Sequence, residues 1–334
     1  MTERGRHQKG AALLVVLLLA GTLSFIALAL VRSVTASAQR SAGAALRAEL
    51  LWRAVSAEEI AIAAIEGALQ ATSSGGPQLT PAHPLFSEQL RTPLDRGEGA
   101  LIFADASTCF NLNSLSVAPA ESAAPDTDSA IELTALLVAV GFAENEAELV
   151  SGVVKDWIDP DDIQTIGGAE DNFYTNLPTP YRTASGPIAS VTELRAMKGV
   201  TDEIYAAASP HLCAPPQSEP MALNINALTP DDAPLLVAAS GGAISNDNAL
   251  TIIADRPPAG WTSVSQFLAS PVIEGAEGLN PEAFGGRLST GPRYIEALAG
   301  ATVNEIDMSV RLLFAVDPDA ATAQLVAREI GTAL

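Results

Sequence analysis

Ala11 to Val31, AALLVVLLLAGTLSFIALALV, is the stretch whose reading decides the fold: twenty-one consecutive residues without Asp, Glu, Lys, Arg or His. At about 1.5 Å per residue a helix of this length covers roughly 30 Å, the hydrocarbon thickness of a bilayer. Met1 to Gly10 precede it as a cationic leader with Arg4, Arg6 and Lys9. That charge assigns the leader to the cytoplasm and everything after Val31 to the periplasmic side of the inner membrane. A secretory signal peptide has a shorter apolar core, about 7–15 residues, and a small-residue cleavage site. Here the pattern continues instead. Val34, Ala38, Ala42, Ala45, Leu46, Leu50, Leu51, Val55, Ile62, Ile65 and Leu69 recur at helical spacing among charged residues. The spacing predicts one helix from the leader to about Gln70, stopped by Ser73-Ser74-Gly75-Gly76-Pro77.

An apolar spike continuous with an amphipathic stem resembles the N-terminus of type IV pilins and of the pseudopilins of type II secretion. The resemblance implies that a prepilin peptidase cuts between Gly10 and Ala11 and that the Ala11 amine is then methylated. Those families usually carry Glu at the fifth mature position, where this chain has Val15. An apolar residue there resembles one branch, the K-type minor pseudopilins, which cap the pseudopilus tip. A tip subunit has no membrane-distal neighbour whose N-terminal amine the carboxylate would meet, and an unpartnered carboxylate is costly in lipid. The alternative within the same machinery, a minor type IV pilin, is expected to have Glu at position 15.

The 334 residues suffice for a sizeable core. The formal net charge is −21, and removal of residues 1–10 takes away three bases and one acid, leaving −23. Such a surface repels phosphate backbones and suits divalent cations or basic proteins, so nucleic acid is not expected as a partner. Cys109 and Cys213 show no Cys-x-x-Cys spacing and are too few for a metal cluster. In an oxidising periplasm this minimal even number reads as a disulfide, with two buried thiols as the alternative.

From Thr72 to Gly99 the chain reads as loop with one short helical turn around Phe86–Leu90. Ala100–Ala104 and Cys109–Asn113 are strand-like, and Ser116–Ser129 is a linker. Helical patterns follow at Ile131–Val140, Glu144–Trp157, Val191–Lys198 and Asp202–Ala208. Phe110-Asn111-Leu112-Asn113-Ser114-Leu115 is echoed 113 residues later by Leu223-Asn224-Ile225-Asn226-Ala227-Leu228. Ala189-Ser190-Val191-Thr192-Glu193-Leu194 is echoed by Thr262-Ser263-Val264-Ser265-Gln266-Phe267. The pattern is that of a diverged duplication whose first copy is longer by about forty residues, or of chance similarity. Leu194–Thr201 resembles a helix-hairpin-helix unit, but Thr201 replaces the second Gly of the phosphate-gripping hairpin. Tyr294–Val303, Asp307–Val316 and Ala321–Ile330 read as three strands, the last with helical content as well.

Six carboxylates lie between Asp156 and Asp171, with no Lys or Arg from Asp156 until Arg182. Asp159-Pro160-Asp161 lets a loop turn two acids toward one ion, and Gly167-Gly168 lets the chain fold back so that Glu170 and Asp171 close the shell. Hard oxygen ligands in a flexible loop suit Ca²⁺, and a solvated acidic turn is the alternative. It is not an EF-hand, since Ile163 and Gln164 stand where a ligand and Gly belong. Asp156-Trp157-Ile158-Asp159-Pro160-Asp161, then Gly168-Ala169-Glu170-Asp171-Asn172-Phe173-Tyr174, then Leu177-Pro178-Thr179-Pro180-Tyr181, resembles the K-type pseudopilin signature. That resemblance implies calcium held by Asp159, Asp161, Glu170 and Asp171, with Asp156 anchoring the loop. Trp157, Phe173, Tyr174 and Tyr181 read as core beneath it rather than as a binding surface. No Ser or Cys nucleophile motif, phosphate loop or zinc helix occurs. A membrane-anchored periplasmic enzyme using Asp159 and Glu170 as an acid/base pair is the rival from another class, and catalysis is not expected.

The expected fold is α+β: a pilin-like long helix on a small antiparallel sheet, carrying a large, mostly helical insert with helix-hairpin-helix-like units. Residues 1–10 are the leader, 11–31 the transmembrane segment, 32–113 the stem and first strands, 114–292 the insert and 293–334 the closing strands. The resemblance implies a single-pass inner-membrane subunit, its C-terminal region in the periplasm, that caps the pseudopilus and helps initiate its assembly for export of folded proteins across the outer membrane. Its implied partners are the I- and J-type minor pseudopilins, the pseudopilus, prepilin peptidase and inner-membrane lipid.

Overall fold

A computed structural model of the chain describes residues 4–76, 78–93, 98–116, 128–220, 222–303 and 306–331. Most of the expected linker at 116–129 lies outside the described residues. By internal contacts the chain divides into residues 1–56 and 57–334, and helix α1 (Arg4–Ser73) runs through both.

From Arg4 to residue 56 the helix is unbroken, and Leu13–Ala45 is long and apolar enough to cross a membrane. Gly10 and Ala11 lie within α1. In the second body, Ala61, Ile65 and Leu69 of α1 are buried at four-residue spacing, one face of the helix. The helix ends where the sequence places its stop. Thr72 and Ser73 turn their hydroxyls back onto the carbonyls of Ala68 and Leu69, and Gly75 takes a φ of +89° that a side chain would resist.

A five-stranded antiparallel sheet belongs to this body, in the order β1-β2-β7-β8-β9. Its strands are β1 (Leu90–Pro93), β2 (Glu98–Asp105), β7 (Tyr294–Val303), β8 (Ile306–Asp317) and β9 (Thr322–Gly331). Leu101 and Phe103, Ile295 and Ala297, and Val310, Leu312, Phe314 and Val316 are buried at alternate positions, so one face carries the core. Two carboxylates tie α1 to β9: Glu66 accepts from the Ala323 amide, and Glu58 pairs with Arg328. The last segment is a strand despite its helical content, because register with β8 from Ser309 to Asp317 outweighs local propensity. Leu90–Pro93, expected in a loop, is instead a short edge strand paired with β2, and Pro93 ends it.

Residues 106–293 form an insert between the neighbouring strands β2 and β7. Its core runs from Phe110 to Leu288 and, among the described residues, includes none of the sheet or of α1. The insert thus begins earlier than position 114, because Cys109–Asn113 does not join the sheet. Strand β3 (Phe110–Asn111) pairs in parallel with β4 (Leu212–Cys213), and β5 (Leu223–Asn224) pairs in parallel with β6 (Leu288–Ser289). These pairs close two halves of the same construction. Short helices α2 (Pro84–Ser87) and α5 (Asp171–Tyr174) lie outside the shared pattern. The first half holds α3 (Ser129–Ala139), α4 (Glu144–Ile158) and α6 (Asp202–Ala208); the second holds α7 (Ala233–Ala239), α8 (Asn246–Ala254), α9 (Val264–Leu268), α10 (Pro271–Glu274) and α11 (Pro281–Gly286).

The repeated asparagines explain the echo. Asn113 donates to the carbonyls of Ile188 (3.0 Å) and Pro215 (2.7 Å) and accepts from the Ile188 amide (2.8 Å). Asn226 does the same with Trp261 (2.9 Å and 2.7 Å) and Thr290 (2.9 Å). Ser190 and Ser263 then cap the turns that follow. Val191–Ala196 is a 3₁₀ turn rather than the expected α-helix through Lys198, since Met197 is already extended. Each amide satisfies three backbone groups that no helix or strand could reach. Asn113→Ala and Asn226→Ala should therefore each leave buried polar atoms unpaired and destabilise the protein by about 2–3 kcal/mol. Urea melts of the two variants check this, and losses below about 0.5 kcal/mol would refute the clip. Arg287 and Glu132 bind the halves together across a 2.6 Å buried ion pair.

Candidate metal centre

Helix α4 ends at Ile158 because Asp159 is extended and Pro160 cannot continue the ladder. The following loop folds back along the same helix. Asp156, fully buried in α4, accepts the Thr165 amide on both carboxylate oxygens at 3.0 and 3.2 Å. Gly168 passes so close that a Cβ there would stand 2.0 Å from Asp156 Oδ2, and Gly167 has a φ of +82°. This is the chain reversal expected of the glycine pair, seen here as a steric requirement. The Gln164 side chain donates to the Gly168 carbonyl at 2.7 Å, and Lys198 Nζ donates to it at 3.1 Å.

The reversal brings together Asp159, Asp161 and Glu170, each offering an oxygen within 4.8 Å of the others. Asp159 is 9% and Glu170 5% exposed, whereas Asp161 is open to solvent and accepts the Ile163 amide. Among the described residues, Asp159 Oδ1 and Glu170 Oε1 are buried without a hydrogen-bond donor. Burial, then the neighbouring carboxylates, pushes Asp159 up to about 6 and Glu170 up to about 7. Orphaned buried carboxylate oxygens are expensive, and a cation at their point of convergence would relieve both the desolvation and the mutual repulsion. An all-oxygen donor set of this kind fits a hard ion such as Ca²⁺.

Asp156 and Asp171 lie elsewhere. Asp156 holds the returning chain, as an anchor. Asp171 does not join the convergent set: Arg182 donates to its Oδ2 at 2.7 Å, and the Thr183 amide and hydroxyl donate to its Oδ1 at 2.8 and 3.0 Å. Those bonds, the Thr183 amide first, hold Asp171 below the usual carboxylate range. Its place at the start of α5 points it toward the segment at 181–185, and no spacing rule shows that. Sequence reasoning also missed the bracing by Gln164 and Lys198, which act on main-chain carbonyls.

Under the loop, Trp157 and Tyr174 are core, with ring centroids 5.1 Å apart edge to face. Phe173 and Tyr181 are half-exposed at the margin, where the Lys198 ammonium lies 5.1 Å over the Phe173 ring and Tyr181 donates to the Ala196 carbonyl. Cys109 and Cys213 are joined by a disulfide, with Cα atoms 5.8 Å apart at the β3–β4 pair.

Comparison with known proteins agrees with the fold. Two family models described as type II secretion system, protein K, match residues 108–217 and 223–286, so their junction falls between the two halves of the insert. The type II secretion system protein K of Pectobacterium carotovorum subsp. carotovorum is 35% identical over 77% of this chain and 78% of its own length. That of Klebsiella pneumoniae is 30% identical over 80% and 81%. Among solved structures, a chain of the GspK-GspI-GspJ complex from enterotoxigenic Escherichia coli superposes with a TM-score of 0.73 at 27% identity, covering 88% of this chain and 100% of that one.

Proposed function

The chain belongs to the type II secretion system protein K family and is a minor pseudopilin; from that premise we propose that it caps the tip of the pseudopilus, helps start its assembly and holds calcium in the 159–170 loop. The observation that carries the tip assignment is the insert. Residues 106–293 leave the sheet at the end of β2 and return at the start of β7, adding a second compact core to a pilin scaffold. Bulk of that size suits the one position in a filament where nothing is stacked above. Val15 supports the same place, since it offers no carboxylate to a subunit further from the membrane. The solved complex, in which a K chain is assembled with I and J chains, supports other minor pseudopilins as partners.

The location that follows is single-pass in the inner membrane through Leu13–Ala45, with residues beyond it in the periplasm. A gold-labelled tag in the insert tests the cap. One label at one end of each sheared filament is expected, and labels along the shaft would overturn it. Processing is tested separately. The mature N-terminus should be methylated Ala11, read by mass spectrometry of the N-terminal peptide; cleavage within Ala36–Ala45 would remove the prepilin reading.

In the loop, Asp159, Asp161 and Glu170 would hold the ion, and Asp156 and Asp171 would keep the loop folded around them. When bound, calcium supplies two positive charges to three converging carboxylates. The chain's own residues then act as a brace, closing the loop onto α4 and the Trp157–Tyr174 core.

A further inference from the structure

Away from the acidic loop's carboxylates, a groove of about 800 Å³ runs along the insert between α3, α4 and the turn that joins α7 to α8. We propose that this groove is a docking site for a basic amphipathic helix of a partner protein. Its floor is apolar. Ile131 and Val138 of α3 are 45% and 42% exposed, and Ala135 lies between them. These positions follow the i, i+4, i+7 spacing of a helix–helix seam, and among the described residues no helix covers them. Gly242 lets the α7–α8 turn approach from the far side: a Cβ there would sit 3.6 Å from that of Ala135.

The rim specifies charge. Glu144 and Glu148 stand one turn apart on α4, both exposed, and among the described residues neither has an ion-pair partner. Like charges at this spacing slightly weaken their own helix, a cost that a cation bridging them removes. Asp128 adds a third carboxylate at the start of α3, and Lys155 is the single base among the lining residues. On a chain of net charge −21, this rim favours Lys and Arg and disfavours a second copy of the same chain.

The walls specify a helix rather than an extended peptide. Two of them, α3 and α4, are helices whose interior backbone groups are already paired, and no strand of a sheet lines the groove among the described residues. A helix brings its own satisfied backbone and needs only side chains to fill the seam. The expected occupant therefore has an apolar stripe at i, i+4 and i+7 flanked by Lys or Arg.

The test uses the full chain in detergent, as the parent protein and as variants at Glu144 and Glu148. The probe is a fluorescein-labelled synthetic helix with Leu at i, i+4 and i+7 and flanking Lys, read by anisotropy. Saturable binding is expected, weakened at least tenfold in the Glu144→Lys/Glu148→Lys variant and at least threefold in Glu144→Gln/Glu148→Gln. Replacing the flanking Lys by Glu should abolish it. Equal affinity for a scrambled peptide that breaks the stripe, unchanged affinity in both variants, or no binding would overturn the proposal. So would self-association of the chain that Val138→Asp removes, because the occupant would then be a second copy. Both Glu residues are exposed, and unchanged melting of the Gln variant confirms that lost binding is not lost folding.

Discussion

Removing calcium should lower the melting temperature of the protein, and Asp159→Ala should erase the difference between calcium and chelator. An ion that binds the folded state alone stabilises it by about 2.7 kcal/mol at a hundredfold excess over its dissociation constant. The pH dependence has a definite sign. Asp159 and Glu170 are raised to about 6 and 7 from ordinary values of 3.8 and 4.5. Without the ion, their contribution is fully present below about pH 4 and is lost as pH rises through 6 to 7. Calcium needs the ionised forms, so its stabilising increment should grow from pH 5 to pH 8. Melting curves at both pH values, with calcium and with chelator, check this. Asp171→Asn separates anchor from ligand: it should lower both curves while leaving a calcium increment. Coincident curves at pH 8 would leave an acidic turn and no metal site.

Breaking the Cys109–Cys213 bond should cost more. The bond spans 104 positions and closes the whole first half of the insert, including the acidic loop. Loop-closure entropy for a ring of about 100 residues corresponds to about 4.7 kcal/mol, less where the reduced chain keeps residual structure. Cys109→Ser/Cys213→Ser should therefore melt well below the oxidised protein, and reductant should bring the parent protein to the same point. Because β3 and β4 contribute only two residues each, their pairing depends heavily on the bond beside it. Identical denaturation with and without reductant would show that the Asn113 clip alone suffices.

Much of this was readable in the sequence wherever a feature repeats along the chain. Helix α1 announced itself through unbroken apolar spacing, and β7 to β9 through β-rich runs between turn residues. The acids of the loop were visible because metal-ligand chemistry clusters in sequence. What escaped depended on distant main-chain atoms. Leu90–Pro93 carries no strand pattern of its own and is held extended by β2. Asn111 and Asn113 looked like strand residues, yet their amides serve carbonyls of Gln217, Glu219, Ile188 and Pro215, 75 to 108 positions away. Asp171 was read as a ligand beside Glu170, and the placement of Arg182 and Thr183 divides them. The repeated Asn-x-Asn letters were legible as an echo before their shared task was.

The insert's two ends have a mechanical consequence. Ala106 donates its amide to the Tyr294 carbonyl at 2.9 Å, and Ser107 Oγ receives the amides of Arg293 and Tyr294 at 2.8 and 3.0 Å. Exit and return are thus stitched together beside the same pair of strands. A pull transmitted between the sheet-bound turns of α1 and the outer strands is borne in shear by the ladders joining β2, β7, β8 and β9. The insert hangs beside that line of force like a loop of slack rope. A load passed along the sheet therefore has a path through those ladders that need not run through the insert's short strands and single-residue clips.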